Sequence, residues 1–399
     1  MGVSMSIGLS TIGATTSIAL RTRPVRGVAF AVYTYSMPKP SKPAPSRQSV
    51  IHGRGAPSNI AGRFHQWQRE SADDGWHPET QSPPKPKTLV VHEAAKSIIT
   101  RNTSPDVPFE QSLNPYQGCE HGCIYCYARP AHAYLGLSPG LDFETRIFAK
   151  KDAASLLRKE LGAPRYICKP IAIGGNTDPY QPIERELRIT RSVIEVLAEC
   201  QHPFTLITKN ALVERDIDIL APMAGRNLVR AYVSVTSLDS RLSSTLEPRA
   251  SAPHRRIEAI RRLADAGVPV GVMVAPIIPF ITDRYVESIL ELAREAGATV
   301  AGYVILRLPN EVAPLFQEWL GAHHPLKAAH VMSMIRQMRG GHDYDTRWGV
   351  RQRGTGAFAE LIANRFTLAS KRLGMTAERA PLDTTRFQPP RDGPQRELF

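Results

Sequence analysis

Three cysteines stand within eight residues of the sequence, and their spacing is the strongest chemical signal in the chain. They are Cys119, Cys123 and Cys126, in the pattern C-x3-C-x2-C. A structural zinc ion takes four ligands as a rule, and Cys168 and Cys200 stand far along the chain in other predicted elements. Clusters of iron and sulfide are normally held by four thiolates, so a set of three leaves one iron open to another ligand. The spacing therefore favours an iron–sulfur cluster, with zinc as the alternative.

The chain around these cysteines has the rhythm of a parallel sheet. From about residue 110 to 310, short apolar runs alternate with helical patterns across short links, which indicates parallel strands with helices outside. The predicted strands cover residues 112–116, 169–173, 203–208, 228–235, 268–276 and 300–308. Six strands are too few for a closed eight-stranded barrel. The predicted fold is α/β, an open partial barrel of six β/α units.

Polar residues gather where the predicted strands end, which is where parallel barrels carry their chemistry. The cysteines follow the first strand. The residues in the corresponding places after the second, third and fourth strands are Gly174, Gly175, Asn176, Thr177 and Asp178, then Lys209, then Ser234 and Thr236. Any one of these groups alone also suits an ordinary turn after a strand.

The cysteine pattern resembles the signature of the radical S-adenosylmethionine (radical SAM) superfamily, in which an aromatic residue precedes the third cysteine. Tyr125 occupies that position. Three strings are similar to the branch that contains spore photoproduct lyase and proteins called DNA repair photolyases. They are Cys-x-Tyr-Cys-Tyr at 123–127, Thr-Lys-Asn at 208–210 and Leu-Glu-Pro-Arg at 246–249.

The resemblance implies a 4Fe-4S cluster at the three cysteines, SAM as the ligand of the open iron, and an electron donor of the flavodoxin or ferredoxin type. Reductive cleavage of SAM would give a 5′-deoxyadenosyl radical for hydrogen abstraction, and lyase is the candidate reaction class. Residues 174–178 match the motif that receives the SAM amino group, with Asp178 as acceptor. Lys209, Ser234 and Thr236 match positions near the SAM carboxylate and ribose. Tyr125 would pack against adenine or relay a radical, and Tyr127 is the candidate catalytic relay.

One departure limits the substrate that the resemblance predicts. Spore photoproduct lyase carries a hydrogen-donating cysteine at the end of its second strand, where this sequence has glycines, and Cys168 lies at the opposite end of that strand. A nucleic acid is the leading expectation. The alternatives are a protein or small-molecule substrate, or a non-catalytic iron–sulfur or zinc protein that binds nucleic acid. Glu247 and Arg249 are expected either to pair beside the cavity or to form a surface salt bridge.

The charge distribution is uneven. The 399 residues carry a net charge of +13, and the first 69 contain nine Lys or Arg and no acidic residue. A second basic region lies within residues 326–373. Five of its arginines lie close together in the sequence with two aromatic residues, and this set is Arg336, Arg339, Arg347, Arg351, Arg353, Tyr344 and Trp348. Such a set suits a nucleic-acid backbone with stacked bases, or equally fastens C-terminal helices to the barrel.

Composition divides the chain into four parts. We predict a disordered basic tail rich in Pro, Ser and Arg over residues 1–88, the barrel over 89–310, a helical extension over 311–380 and a flexible tail over 381–399. Helices are predicted at 312–320, 326–338 and 358–373. No apolar run is long enough to span a membrane, and five cysteines are too few for a disulfide scaffold. The cytoplasm is the expected location.

The last five residues resemble the short peptide by which bacterial polymerases and repair proteins attach to the replicative sliding clamp. Gln395, Leu398 and Phe399 match its pattern, whereas Arg396 stands where leucine is usual. The resemblance predicts a sliding clamp as partner. The alternatives are an arbitrary terminus or an apolar pair that packs back on the barrel.

Overall fold

The computed structural model describes residues 53–64, 86–375 and 380–390. The strands in chain order are β1 (Leu89–His92), β2 (Ile99–Arg101), β3 (Gln111–Leu113), β4 (Tyr116–Gln117), β5 (Arg146–Ala149), β6 (Ile171–Ile173), β7 (Phe204–Thr208), β8 (Val229–Ser234), β9 (Val270–Ile277) and β10 (Val300–Ile305). The helices are α1 (Leu141–Thr145), α2 (Ala153–Leu161), α3 (Glu184–Leu187), α4 (Ile189–Glu199), α5 (Ile217–Ala224), α6 (Ser240–Leu246), α7 (Pro253–Asp265), α8 (Val286–Glu295), α9 (Val312–His323), α10 (Pro325–Gln337), α11 (Val350–Arg353) and α12 (Ala357–Arg372). Short 3-10 helices cover Arg129–Leu135, Ala211–Asp216 and Asp283–Tyr285.

The main sheet has seven strands in the order β10-β9-β8-β7-β6-β3-β2. Six of them run parallel, as predicted, and β2 joins the edge antiparallel to β3. The predicted ends differ from the observed ones by at most three residues. Within the described residues β2 and β10 are the two edges and do not pair. The prediction of an open partial barrel is therefore confirmed.

The helices pack their apolar stripes against this sheet. In α8 the buried residues Val286, Ile289, Leu290 and Ala293 follow the spacing of one helical face. The glycines that follow three of the helices behave in two ways. Gly267 and Gly297 adopt positive φ angles of 76° and 99° after α7 and α8, as a left-handed C-cap requires. Gly225 instead keeps a helical φ of −58°, and Asn227 makes the left-handed turn.

A second, three-stranded sheet was not predicted. Its order is β1-β5-β4, and β4 pairs antiparallel with β5 through Tyr116 and Ala149. Two residues in β4 and four in β5 are too few to show a periodic pattern. This sheet ends next to Cys119, so it fixes the entry of the chain into the cysteine loop.

The expectation of a tail differs from the structure at both ends. Residues 53–64 lie against the barrel, with Ala56 fully buried and Arg54 Nη1 donating to the Glu144 carbonyl at 2.8 Å. This segment is held by backbone and charged groups rather than by an apolar stripe, which is why its composition reads as tail. Residues 1–52 and 65–85 lie outside the described residues.

At the other end, α9, α10 and α12 match the three predicted helices, and residues 380–390 return to the barrel. The Phe387 ring lies 5.2 Å from the His202 ring and 5.5 Å from the Tyr166 ring, centroid to centroid. Among the described residues, none of the helices is both long and apolar enough to cross a bilayer.

Candidate active site

The cysteine loop lies between β4 and the 3-10 helix Arg129–Leu135, at the carboxyl edge of the main sheet. All three cysteines are free thiols, with Cys119 and Cys123 buried and Cys126 half-buried. Cys119 N donates to Phe143 O at 2.9 Å, and Cys126 N donates to Cys123 O at 3.1 Å. The loop is therefore anchored by its backbone, which leaves the sulfur atoms for a ligand.

The electrostatics around the thiols combine burial with nearby cations. Burial raises the pKa of each of the three thiols. Lys209 opposes this shift at Cys123 and Cys126, and Arg307 also opposes it at Cys126. Lys209 and Arg307 would therefore help to stabilise the deprotonated thiols that bind a metal cluster.

The donor set fits an iron–sulfur cluster. Three soft sulfur ligands are the type such clusters use. Within the described part of the chain, no three His, Cys, Asp or Glu side chains form a group suited to a single metal ion. His121 does not complete a set, because its ring nitrogens face Asp178 Oδ2 at 3.3 Å and Asn210 Nδ2 at 3.2 Å.

Asp178 is occupied by protein partners. Its carboxylate accepts hydrogen bonds from Tyr180 N at 2.9 Å, Thr208 Oγ1 at 2.7 Å and Lys209 N at 2.7 Å, besides its contact with His121. Burial alone would raise the pKa of Asp178, but His121 and the hydrogen bonds from Thr208 and Lys209 lower it. A SAM ammonium would have to displace one of these partners, so the geometry favours a role in tying β6 to β7.

The glycine-rich string packs closely between β6 and its neighbours. Gly174 has a φ of 90°, and a Cβ there would stand 2.5 Å from Ile207 O, so only glycine fits. Asn176 N donates to Asn114 Oδ1 at 3.0 Å, and Thr177 Oγ1 donates to Tyr116 O at 2.8 Å. The Gly175 carbonyl accepts a hydrogen bond from the Tyr127 hydroxyl.

Tyr125 belongs to a buried polar network. Its hydroxyl donates to Glu247 and lies 3.2 Å from Thr236 Oγ1, which itself donates to Glu247 at 2.7 Å. The Arg256 guanidinium also donates to Glu247, and both side chains are at most 1% exposed. Burial alone would raise the pKa of Glu247, but the charges of Arg256 and Lys209 and two hydrogen bonds lower it to about 2.

This network corrects the expected pairing of Glu247 with Arg249. Arg249 pairs instead with Glu120, at 2.6 Å. Proximity in the sequence suggested Arg249 as the partner of Glu247, whereas α7 places Arg256 next to Glu247 at the end of β8. Arg256 Nη1 also donates to Ser234 O at 3.1 Å.

Lys209 and Ser234 lie beside this network. The Lys209 Nζ lies 6.0 Å from the centroid of the Tyr125 ring. The Ser234 side chain is buried, with 3% of the residue exposed. Tyr125, Lys209, Ser234 and Thr236 are therefore brought close to the cysteine loop.

A cavity of about 370 Å³ opens between the two edges of the sheet. Its lining includes Tyr127, Gly175, Asn176, Arg101, Arg307 and Arg351. The Arg307 guanidinium lies 3.9 Å from the centroid of the Tyr127 ring. Sequence reasoning missed Arg101 and Arg307, because the predicted sixth strand ran to residue 308, whereas β10 ends at Ile305 and leaves Arg307 just beyond the strand end.

The predicted C-terminal arginine cluster makes mostly internal contacts. Arg339 is 1% exposed and donates to Leu306 O at 2.9 Å, so its guanidinium cannot meet a phosphate. Arg336, Arg347 and Arg351 pair with carboxylates, and Arg353 lies over the Tyr303 ring. Arg339, Arg351 and Arg353 thus follow the alternative in which these side chains fasten the extension to the barrel, whereas Arg336 and Arg347 form exposed pairs within the extension.

Comparison with known proteins defines the class of protein. Residues 113–293 match the Radical SAM superfamily. The chain is 34% identical over 253 residues to an uncharacterized protein of Mycobacterium tuberculosis, covering 62% of this chain and 74% of that protein. It is 24% identical over 197 residues to an uncharacterized protein of Methanocaldococcus jannaschii, covering 49% of this chain and 71% of that protein. The chain belongs to the radical SAM superfamily.

A solved structure has a similar fold. Spore photoproduct lyase complexed with dinucleoside spore photoproduct superposes with a TM-score of 0.50 at 16% identity, over 71% of this chain and 79% of that chain. At this identity the similarity describes the fold.

Proposed function

We propose that the chain is an enzyme that binds a 4Fe-4S cluster through Cys119, Cys123 and Cys126 and uses SAM as its second cofactor. The observation that carries this proposal is the anchored loop of three free thiols beside cations and a cavity. The bound cofactors would supply a 5′-deoxyadenosyl radical for hydrogen abstraction, and the protein would orient the reactants and exclude water.

In this proposal, different residues around the loop bind different parts of SAM. Lys209 is the cation for the SAM carboxylate, because its side chain faces the thiols and Tyr125. The backbone of Gly175 and Asn176, which line the cavity, would face the SAM amino group, and Gly174 lets this segment pack closely on β7. Ser234 and Thr236 lie toward the ribose, and Tyr125 supports the adenine through a hydroxyl fixed by Glu247. Asp178 holds the strand ends in place.

Lys209→Met tests this arrangement. Removing a charged partner of the SAM carboxylate should weaken SAM binding about tenfold or more while iron content stays unchanged. Equilibrium dialysis of SAM with anaerobically reconstituted protein measures the affinity, and 5′-deoxyadenosine formed with dithionite measures cleavage. The exposed Lys159→Met is the matched control. Equal SAM affinity in Lys209→Met and the control would place the SAM carboxylate elsewhere.

A nucleic acid is the substrate class that we propose for the cavity. Tyr127 and Phe109 offer aromatic surfaces for a base, and Arg101 and Arg307 offer positive charge for phosphate. The similar fold of spore photoproduct lyase, solved with a dinucleoside photoproduct, agrees with such a ligand. Tyr127 is the residue that we propose as the radical relay, and its position between the loop and the cavity supports this role. A lyase reaction on this substrate remains part of the proposal.

Salt dependence distinguishes this substrate class. In titrations of the full chain with labelled single- and double-stranded oligonucleotides, Arg101→Gln plus Arg307→Gln should reduce the slope of log affinity against log salt by about one to two. The control variant Arg165→Gln plus Arg185→Gln removes the same charge from exposed positions and should reduce this slope by less. Identical slopes in the two double variants would favour a protein or small-molecule substrate.

The proposed sliding-clamp contact through Gln395, Leu398 and Phe399 lies outside the described residues and stays a prediction. The same holds for a flavodoxin- or ferredoxin-type electron donor and for a cytoplasmic location.

A further inference from the structure

Residues 53–64, here called the strap, lie directly against the cysteine loop. Gly55 packs on Gly122, which stands between Cys119 and Cys123. A Cβ at Gly55 would lie 1.7 Å from Gly122 O, and one at Gly122 would lie 2.6 Å from Glu144 Oε2. Both positions therefore require glycine, because the backbones of the strap and the loop pack too closely for a side chain.

Glu144 joins the strap to the loop. Its carboxylate accepts from Gly55 N at 2.9 Å and from Ala56 N at 2.8 Å, both on the strap. The same carboxylate pairs with Arg129 at 2.5 Å, and both charged side chains are fully buried. A buried charge is costly unless it is fully paired, so the two strap donors are needed to keep this carboxylate satisfied.

Arg129 carries the connection to the cysteines. Its Nε donates to Cys123 O at 2.9 Å, and its Nη2 donates to Gly122 O at 3.1 Å. Arg129 thus holds two carbonyls of the loop while it faces Glu144. A continuous chain of charge-assisted hydrogen bonds runs from the strap to the residues between the cysteines.

The far end of the strap is fixed to the C-terminal extension. Ser58 Oγ donates to Glu318 in α9 at 2.6 Å, and the Arg63 guanidinium pairs with Glu311 at 3.0 Å. The strap consequently bridges α9 and the cysteine loop, two elements about 190 residues apart in the sequence.

We propose that the strap is a positioning element for the cluster-binding loop, which it locks through Glu144 and Arg129 and covers on the side of Gly122. This cover would shield the thiols even before iron is bound, so that part of the proposal depends on the polypeptide alone. The effect on a bound cluster rests on the proposed function.

Two measurements on the full chain test the strap. Before iron is added, the rate at which iodoacetamide alkylates each cysteine is read by mass spectrometry. Gly55→Ala forces the strap off Gly122 and should raise the rates at Cys119 and Cys123 about tenfold or more, because at least one charge-assisted hydrogen bond is lost. Cys168 should keep its rate. After anaerobic loading, the visible absorbance of the cluster should decay faster in air by a similar factor.

Gly321→Ala is the matched control, since a Cβ there meets nothing within 4 Å on α9. It should react like the parent protein. If Gly55→Ala also exposes the buried Cys200, the variant has not folded correctly. The variant Ser58→Ala plus Arg63→Gln, which loosens only the end of the strap that contacts α9 and Glu311, then tests the proposal through the same alkylation and cluster-decay rates. Unchanged alkylation rates in a folded variant would contradict the positioning role of the strap. Faster alkylation in a protein that binds no iron would support this role and contradict the proposed iron–sulfur cluster.

Discussion

Alanine at Cys119, Cys123 or Cys126 is expected to abolish iron binding, whereas Cys168→Ala and Cys200→Ala should retain about four irons per chain. Each of the three loop cysteines would supply one of only three protein thiolates, so losing one leaves two irons without a protein ligand. Cys168 and Cys200 lie before β6 and after α4, away from the loop. Iron and sulfide analysis after anaerobic reconstitution, together with electron paramagnetic resonance of the reduced protein, measures the result.

The controls also separate this cluster from its alternative. Cys168 is half-buried and Cys200 is buried, so the two controls test whether general loss of a thiol or of core packing lowers the iron content. Stoichiometric zinc with no iron in the parent protein would contradict the cluster. Equal iron in all five variants would contradict the loop as its site.

The sequence predicted what depends on local pattern. The six parallel strands are apolar runs bounded by turns, and the cysteine spacing is set within eight residues. The polar residues at strand ends follow from topology, because parallel strands bring their carboxyl ends to one edge. For these reasons Lys209, Ser234 and Thr236 could be assigned to the loop's surroundings before their contacts were known.

The parts that could not be predicted depend on pairings between distant residues. Glu144 carries no sequence signal, since its partners Gly55 and Ala56 lie 89 and 88 residues away. Asp178 looked available for SAM because most of its partners, namely Thr208, Lys209 and His121, lie at the end of β7 or in the cysteine loop. The sequence left two roles open for the C-terminal arginines, because the pairing of Arg336 with Asp343 and of Arg347 with Asp345 depends on turns that the sequence pattern does not define.

The Arg256–Glu247 pair shows what such a pairing contributes. Arg256→Met removes the guanidinium from a buried carboxylate and should lower the free energy of unfolding by about 3–5 kcal/mol. Arg372→Met, in the exposed pair with Glu291, should cost about 1 kcal/mol or less. Urea unfolding of the reconstituted protein measures both. Equal costs in the two variants would contradict a charged, buried pair.

Neutralising the carboxylate as well should restore part of that stability. In Arg256→Met plus Glu247→Gln no unpaired charge remains, so the double variant should be more stable than Arg256→Met alone even though the bonds to Ser234 O and Ser251 O are still missing.

The stability of the folded chain should also depend on pH through Glu247. The pKa of Glu247 is about 2 in the folded chain, below its ordinary value of 4.5. Its contribution is therefore complete above about pH 4.5 and is lost as the pH falls toward 2. Glu247→Gln should flatten the stability profile across that window, and a parallel profile in parent and variant would show that Glu247 is not ionised in the fold.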